Sequence, residues 1–198
     1  MATKRQNPIH YAGDLRSDLM VEALRVIAEN GTSAVSLRAL TRNLGVSHAA
    51  PKNHFATKEA LFAELAREGF VLFEASLRRA GDEARARGVG PVAALADMGL
   101  AYLDFARDHA SHFALMFRTD LFDTSTIAPE SAHAFAALQD SVHAAQAAGW
   151  HQGEPSHHVA TLLWSTVHGH AHLEAQGLPV ATTSADRAAV LRLLIPSS

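Results

Sequence analysis

Apolar residues recur along this chain at three- and four-residue intervals, and no stretch alternates apolar with polar at a period of two. Leu15, Leu19, Ala23, Val26 and Ile27 mark one face of a first helix over residues 15–29, which Glu29-Asn30-Gly31 stops. A second helix runs from a Ser36 cap to Leu44, and Gly45-Val46 turns the chain because glycine enters the left-handed region that ends helices. Ser47 caps a short third helix ending near Phe55. Thr57 begins a long fourth helix through Leu61, Phe62, Leu65, Phe70, Leu72, Phe73 and Leu77 to about Arg87. Gly88-Val89-Gly90-Pro91 breaks it and opens a fifth helix that reaches about Asp108. Further helices are predicted over 113–117, 130–148, 155–176 and 184–194. The pattern gives an all-α chain of about nine helices without internal repeats. An N-terminal three-helix domain spans 1–56, with an unpatterned arm before Asp14, and a helical bundle spans 57–198.

A length of 198 residues suffices for a real core, and the absence of cysteine removes disulfides, thiolate nucleophiles and sulfur-ligated zinc. No apolar run follows Lys4 and Arg5, so no secretory signal is expected and the cytoplasm is the expected location. Residues 155–173 hold no Asp, Glu, Lys or Arg, yet their five histidines and four Ser or Thr suit a helix buried in protein, not in lipid.

Net charge is −3, but its distribution is uneven. Residues 1–58 hold eight Lys or Arg against four acids, and the remaining 140 hold nine against sixteen. A basic end on an acidic remainder is expected when that end meets phosphate. The stretch from Ser36 to Phe55 then reads helix, glycine turn, helix, the layout that presents the N-terminus of a second helix to the DNA major groove.

Ser36-Leu37-Arg38, Gly45-Val46-Ser47, His54-Phe55 and Lys58-Glu59-Ala60-Leu61 closely resemble the signature of the TetR/AcrR family over residues 15–65. The resemblance implies a DNA-binding head and an effector-binding, dimerising C-terminal domain. It makes Ser36 and Ser47 helix caps and phosphate donors, His54 and Lys58 backbone clamps, and Phe55 a core anchor. The expected DNA-binding set is Ser36, Arg38, Ser47, His48, Ala49, Lys52, Asn53, His54 and Lys58, with His48, Ala49, Lys52 and Asn53 facing the groove. Lys52 stands where the family carries an aromatic residue, which exchanges a ring contact for a flexible point charge. Pro51 lacks an amide donor and pushes the start of the third helix later, towards Ala49 or Ala50.

Trp164 followed by His168-Gly169, together with Leu115-Met116-Phe117, resembles the Trp-His-Gly group of TetR C-terminal domains. Phe105, Phe113, Met116, Phe117, Trp164 and His168 form the expected effector pocket, although aromatic residues at helical spacing also serve as plain core. His168 and His172 lie one turn apart, but no third ligand is evident, so neither a metal site nor a cofactor is expected. The expected partners are double-stranded DNA with a pseudo-palindromic operator, a small-molecule effector and a second copy of the chain, with no membrane. The homodimer face is expected to include Val159, Leu162, Thr166, Leu191 and Leu194. A helical metal- or small-molecule-dependent enzyme is the rival reading, but the sequence holds no glycine-rich phosphate loop, nucleophile elbow or Glu-x-x-His pair. An architectural DNA-binding protein without an effector would leave the large acidic C-terminal domain unexplained.

Overall fold

Two local signals set the limits of the second helix. Ser36 is extended (φ −144°, ψ 142°) and its hydroxyl oxygen accepts from the Ala39 amide at 3.1 Å. Nine residues on, Gly45 adopts φ 68°, and the Val46 amide closes the turn on the Thr41 carbonyl at 3.0 Å. The computed structural model describes residues 15–47, 50–180 and 182–195. Among these are eight α-helices: α1 (Leu15–Asn30), α2 (Leu37–Leu44), α3 (Lys58–Ala86), α4 (Pro91–Asp108), α5 (Ala110–Met116), α6 (Ala128–Ala147), α7 (Ser156–Ala175) and α8 (Ser184–Leu194). No strand occurs among the described residues.

The expected third helix is, from Ala50 to Asn53, a single 3-10 turn, closed by the His54 and Phe55 amides on the Pro51 carbonyl at 2.9 and 2.7 Å. Pro51 gives no N–H to an α-helical ladder and disfavours helical geometry in the residue before it, so the segment tightens. Further 3-10 turns at Thr32–Ala34 and Thr124–Ile127 have no signal in the apolar periodicity, and α5 starts three residues before the expected position.

The chain divides into two compact units, Met1–Leu61 and Phe62–Ser198, and the division falls within α3. In the first, Leu19, Ala23 and Ile27 of α1, Leu40 of α2, and Phe55 are buried. The Arg16 guanidinium lies 5.3 Å above the Phe55 ring, which itself is 3% exposed and packs as the resemblance implies.

In the second unit, α4 packs against α5, α6, α7 and α8. Val92 and Leu95 of α4 meet Val142 and Ala145 of α6, Val159, Ala160 and Leu163 of α7, and Ile195 in one apolar cluster. Two helical glycines allow close approach. A Cβ on Gly69 would lie 2.7 Å from Met116 Sδ, and one on Gly99 would lie 3.0 Å from Leu191 Cδ2. The C-terminal helix is also held by charge: Arg187, 2% exposed, pairs bidentately with Glu174 of α7 and lies 3.6 Å from Asp104 of α4.

Removing one member of a buried ion pair leaves the other charge without its partner in a poorly solvated place. Arg187→Met is expected to destabilise the protein by about 3 kcal/mol, a little below the full range for buried pairs because Glu174 keeps some solvent. Urea denaturation of Arg187→Met beside Arg187→Met/Glu174→Gln checks this: the double variant recovers part of the loss.

Candidate functional site

The basic surplus of the N-terminal unit resolves into engaged and uncommitted cations. Arg25 bridges Glu22 at 2.6 Å and Glu29 at 2.7 Å, and Glu22 also accepts from Asn43 at 2.7 Å. The Arg25 guanidinium holds the Glu22 carboxyl below the ordinary range. Lys58 is half-buried and its ammonium donates to the Thr32 carbonyl at 3.0 Å, which ties the start of α3 to the first 3-10 turn. Arg38 and Arg42, by contrast, are exposed on α2 with no ion pair among the described residues.

Of the expected DNA-binding residues, Ser36, Arg38, Ser47, Asn53 and His54 are exposed. Ser36 is already the cap of α2, so its hydroxyl oxygen is engaged with a backbone amide. Asn53 ends the 3-10 turn. The backbone of Lys52 lies in that same turn, whereas His48 and Ala49 lie outside the described residues. Arg42 was not among the expected residues. Its spacing of four from Arg38 on one helix is the signal that pairs them.

The expected effector residues do gather, around a centre that periodicity did not single out. Phe73 of α3 lies with its ring centroid 4.7 Å from Tyr102, 5.1 Å from Phe105 and 5.6 Å from Trp164. His168 sits 4.5 Å from Phe117 and 5.5 Å from Phe113. Met116 packs against Gly69, apart from these ring contacts. Tyr102 was missed, although it stands three residues before Phe105 on the same helix. The space left beside Tyr102 and Trp164 is about 30 Å³, and Phe105, Phe113 and Met116 are buried.

One polar pair lies inside this cluster: Tyr102 Oη is 2.7 Å from His168 Nδ1. Burial pushes the Tyr102 phenol up, while burial and, to a lesser degree, His172 pull the His168 imidazole down. With both groups neutral, the phenol donates to Nδ1. Among the described residues no group of three His, Cys, Asp or Glu side chains is arranged to hold a metal.

Two members of the expected dimer face point inward. Val159 and Leu191 are 6% and 3% exposed and belong to the core of their own protomer, because α7 and α8 turn those faces towards α4. Leu162 and Thr166 are exposed and Leu194 is half-buried. Leu193 at 88% exposed and Val190 at 39% extend the exposed apolar face.

The depressed imidazole links protonation to stability. The unfolded chain binds the His168 proton more readily, so its contribution is whole above about pH 6.5 and is lost as pH falls through the folded value. Thermal melts from about pH 7.5 to about pH 5.5 should show wild-type stability falling with acid, and His168→Gln should flatten that slope. An identical slope in the variant would assign the effect to other histidines.

The arrangement agrees with the comparisons to known proteins. The family model described as bacterial regulatory proteins, tetR family, matches residues 19–65, and the tetracyclin repressor-like C-terminal domain model matches residues 95–197. No curated protein matches the chain. Among solved structures, the chain is similar to a protein with unknown function from Rhodococcus sp. RHA1, at 30% identity and a TM-score of 0.81 over 94% of this chain and 96% of that one. PfmR, a TetR family transcriptional regulator from Thermus thermophilus, shares the fold at 18% identity and a TM-score of 0.69, over 89% and 96% of the two chains. So does the ketosteroid transcriptional regulator KstR2 of Mycobacterium tuberculosis, at 18% and 0.63 over 91% of each. With the C-terminal model covering more than half of its length and the N-terminal model falling on the helix-turn-helix, this chain belongs to the tetR family and is a DNA-binding transcriptional regulator.

Proposed function

We propose that this regulator binds a pseudo-palindromic operator as a homodimer in the cytoplasm, represses transcription, and releases DNA when its C-terminal unit takes up a small molecule. The observation that carries the DNA side is the α2 surface, where Arg38 and Arg42 are exposed without ion pairs among the described residues while Arg25 and Lys58 are engaged within the unit. Uncommitted guanidinium groups meet phosphate without first breaking a protein contact. Asn53, exposed beyond Pro51, is the candidate reader of a base edge, for which an adenine fits its amide. The acidic C-terminal unit does not suit a second DNA surface, and it supports a sensing role over an architectural one.

The effector acts only through a difference in affinity for two conformations of the regulator. Operator DNA therefore weakens effector binding by the same factor by which effector weakens operator binding. Dimerisation rests on Leu162, Val190 and Leu193, whose apolar side chains on α7 and α8 stay exposed in the protomer.

Fluorescence anisotropy on intergenic DNA flanking the coding region tests the DNA side. Arg38→Ala or Arg42→Ala should weaken binding to all sequences and flatten the salt dependence by about one unit of slope, whereas Asn53→Ala should relax preference at one base position by about 1–3 kcal/mol. A change of base preference in Arg42→Ala with no change of salt slope would reverse these roles. For the dimer, light scattering at micromolar concentration should report twice the protomer mass for the wild type and a monomer for Leu162→Glu/Leu193→Glu; a monomeric wild type removes the dimer from the proposal.

A further inference from the structure

Glycine inside a helix weakens it unless a neighbour requires the missing side chain. Gly69 and Gly99 are required in this way, by Met116 and Leu191. Gly81 of α3 is not: a Cβ there would lie 3.7 Å from Met98 Sδ and 4.0 Å from a terminal nitrogen of Arg85, which is ordinary contact or beyond. No packing among the described residues accounts for the absent side chain. What it leaves is room, in a cleft of about 290 Å³ between α3, α4 and α6. That approaches the lower end of ordinary ligand sites, roughly 300 Å³.

The floor of the cleft is apolar, formed by Leu77, Met98 and Ala137. Its mouth carries Arg78 and Arg85 of α3, two turns apart with Gly81 between them. Each of the two carboxylates at the mouth already faces an arginine, Asp82 with Arg85 and Asp140 with Arg78 at 4.0 Å. Arg78 also holds Glu74 at 2.7 Å. A guanidinium has five N–H donors and a bidentate carboxylate takes two of them, so donors remain in surplus at this mouth. A cationic headgroup would have to compete with Arg78 and Arg85 for carboxylates they already hold, whereas a carboxylate headgroup would use their spare N–H donors, and a purely apolar molecule would leave those donors unused.

We propose that this cleft binds a small apolar carboxylic acid as the effector, its hydrocarbon over Gly81 against Leu77, Met98 and Ala137 and its carboxylate at Arg78 and Arg85. This rests on the reading of the C-terminal unit as a sensor, and it places the ligand outside the aromatic cluster.

The full-length chain is titrated calorimetrically with hexanoate, octanoate, decanoate and hydrocinnamate, and with octanol and octylamine as headgroup controls. At least one acid is expected to bind and to raise the melting temperature. Gly81→Leu, whose side chain enters the cleft, should melt no lower than the wild type and bind that acid at least about tenfold more weakly. Gly81→Ala should lose less, and Arg85→Gln should lose acid affinity while leaving octanol binding unchanged. Should Gly81→Leu fail to fold, Gly81→Ala and Arg85→Gln carry the test. The proposal is overturned if none of the acids binds, if Gly81→Leu binds as the wild type does, or if octylamine matches octanoate. Operator release by an acid that still binds Gly81→Leu normally would keep the effector-responsive reading and overturn this site. Gly81-dependent binding that leaves operator affinity unchanged would keep the site and overturn its effector role.

Discussion

The C-terminal unit depends on Phe73. Its ring, 1% exposed, touches Tyr102 and Phe105 of α4 and Trp164 of α7, and through Trp164 and Tyr102 the contacts pass to His168, Phe117 and Phe113. Edge-to-face aromatic pairs fix ring orientation as well as separation. The helices that contribute rings therefore hold one another in register. The Tyr102–His168 hydrogen bond satisfies the polar atoms that this cluster encloses, at a position where an unmet donor would be costly.

Around that cluster the remaining devices act at its edges. The close approach at Gly69 brings α5 against α3, and the one at Gly99 brings α8 against α4. Arg187 then ties α8 to α7 and α4 by charge at a place where burial makes a missing partner expensive. The cleft beside Gly81 lies at the margin of this interior, sharing Leu77 and Met98 with the small void beside Trp164.

The N-terminal unit follows a different logic, in which the distribution of partners matters more than the count of charges. Eight basic residues before residue 59 give a favourable field for phosphate, but the Glu22–Arg25–Glu29 network and the Lys58–Thr32 contact engage two of them inside the unit. Arg38 and Arg42 are exposed without ion pairs among the described residues, and α2 itself carries no acidic side chain that would compete for them. The tight turn at Pro51 places Asn53 and His54 at the surface while Phe55 is buried.

Most of the helices, the glycine turn at Gly45, the Ser36 cap and the family were legible in the sequence, because each depends on spacing or on a residue's own backbone preference, whereas the expected third helix is a 3-10 turn from Ala50 to Asn53. The gathering of Phe113, Phe117, Trp164 and His168 was legible too, as aromatic residues at helical intervals. Whether they enclosed space or filled it was not, since that depends on Phe73 and Tyr102 arriving from two other helices. Nor could periodicity tell that Val159 and Leu191 face inward while Leu162 and Leu193 face out: an apolar position reads alike whether it meets its own core or another surface. The sequence by itself determined the first two helices, the cap and the turn that bound the second, and the family signature of the N-terminal unit, which are local. Tertiary structure alone decided which arginines stay without ion pairs and which helical glycines face a close neighbour, because each of these is a relation between residues far apart in the chain.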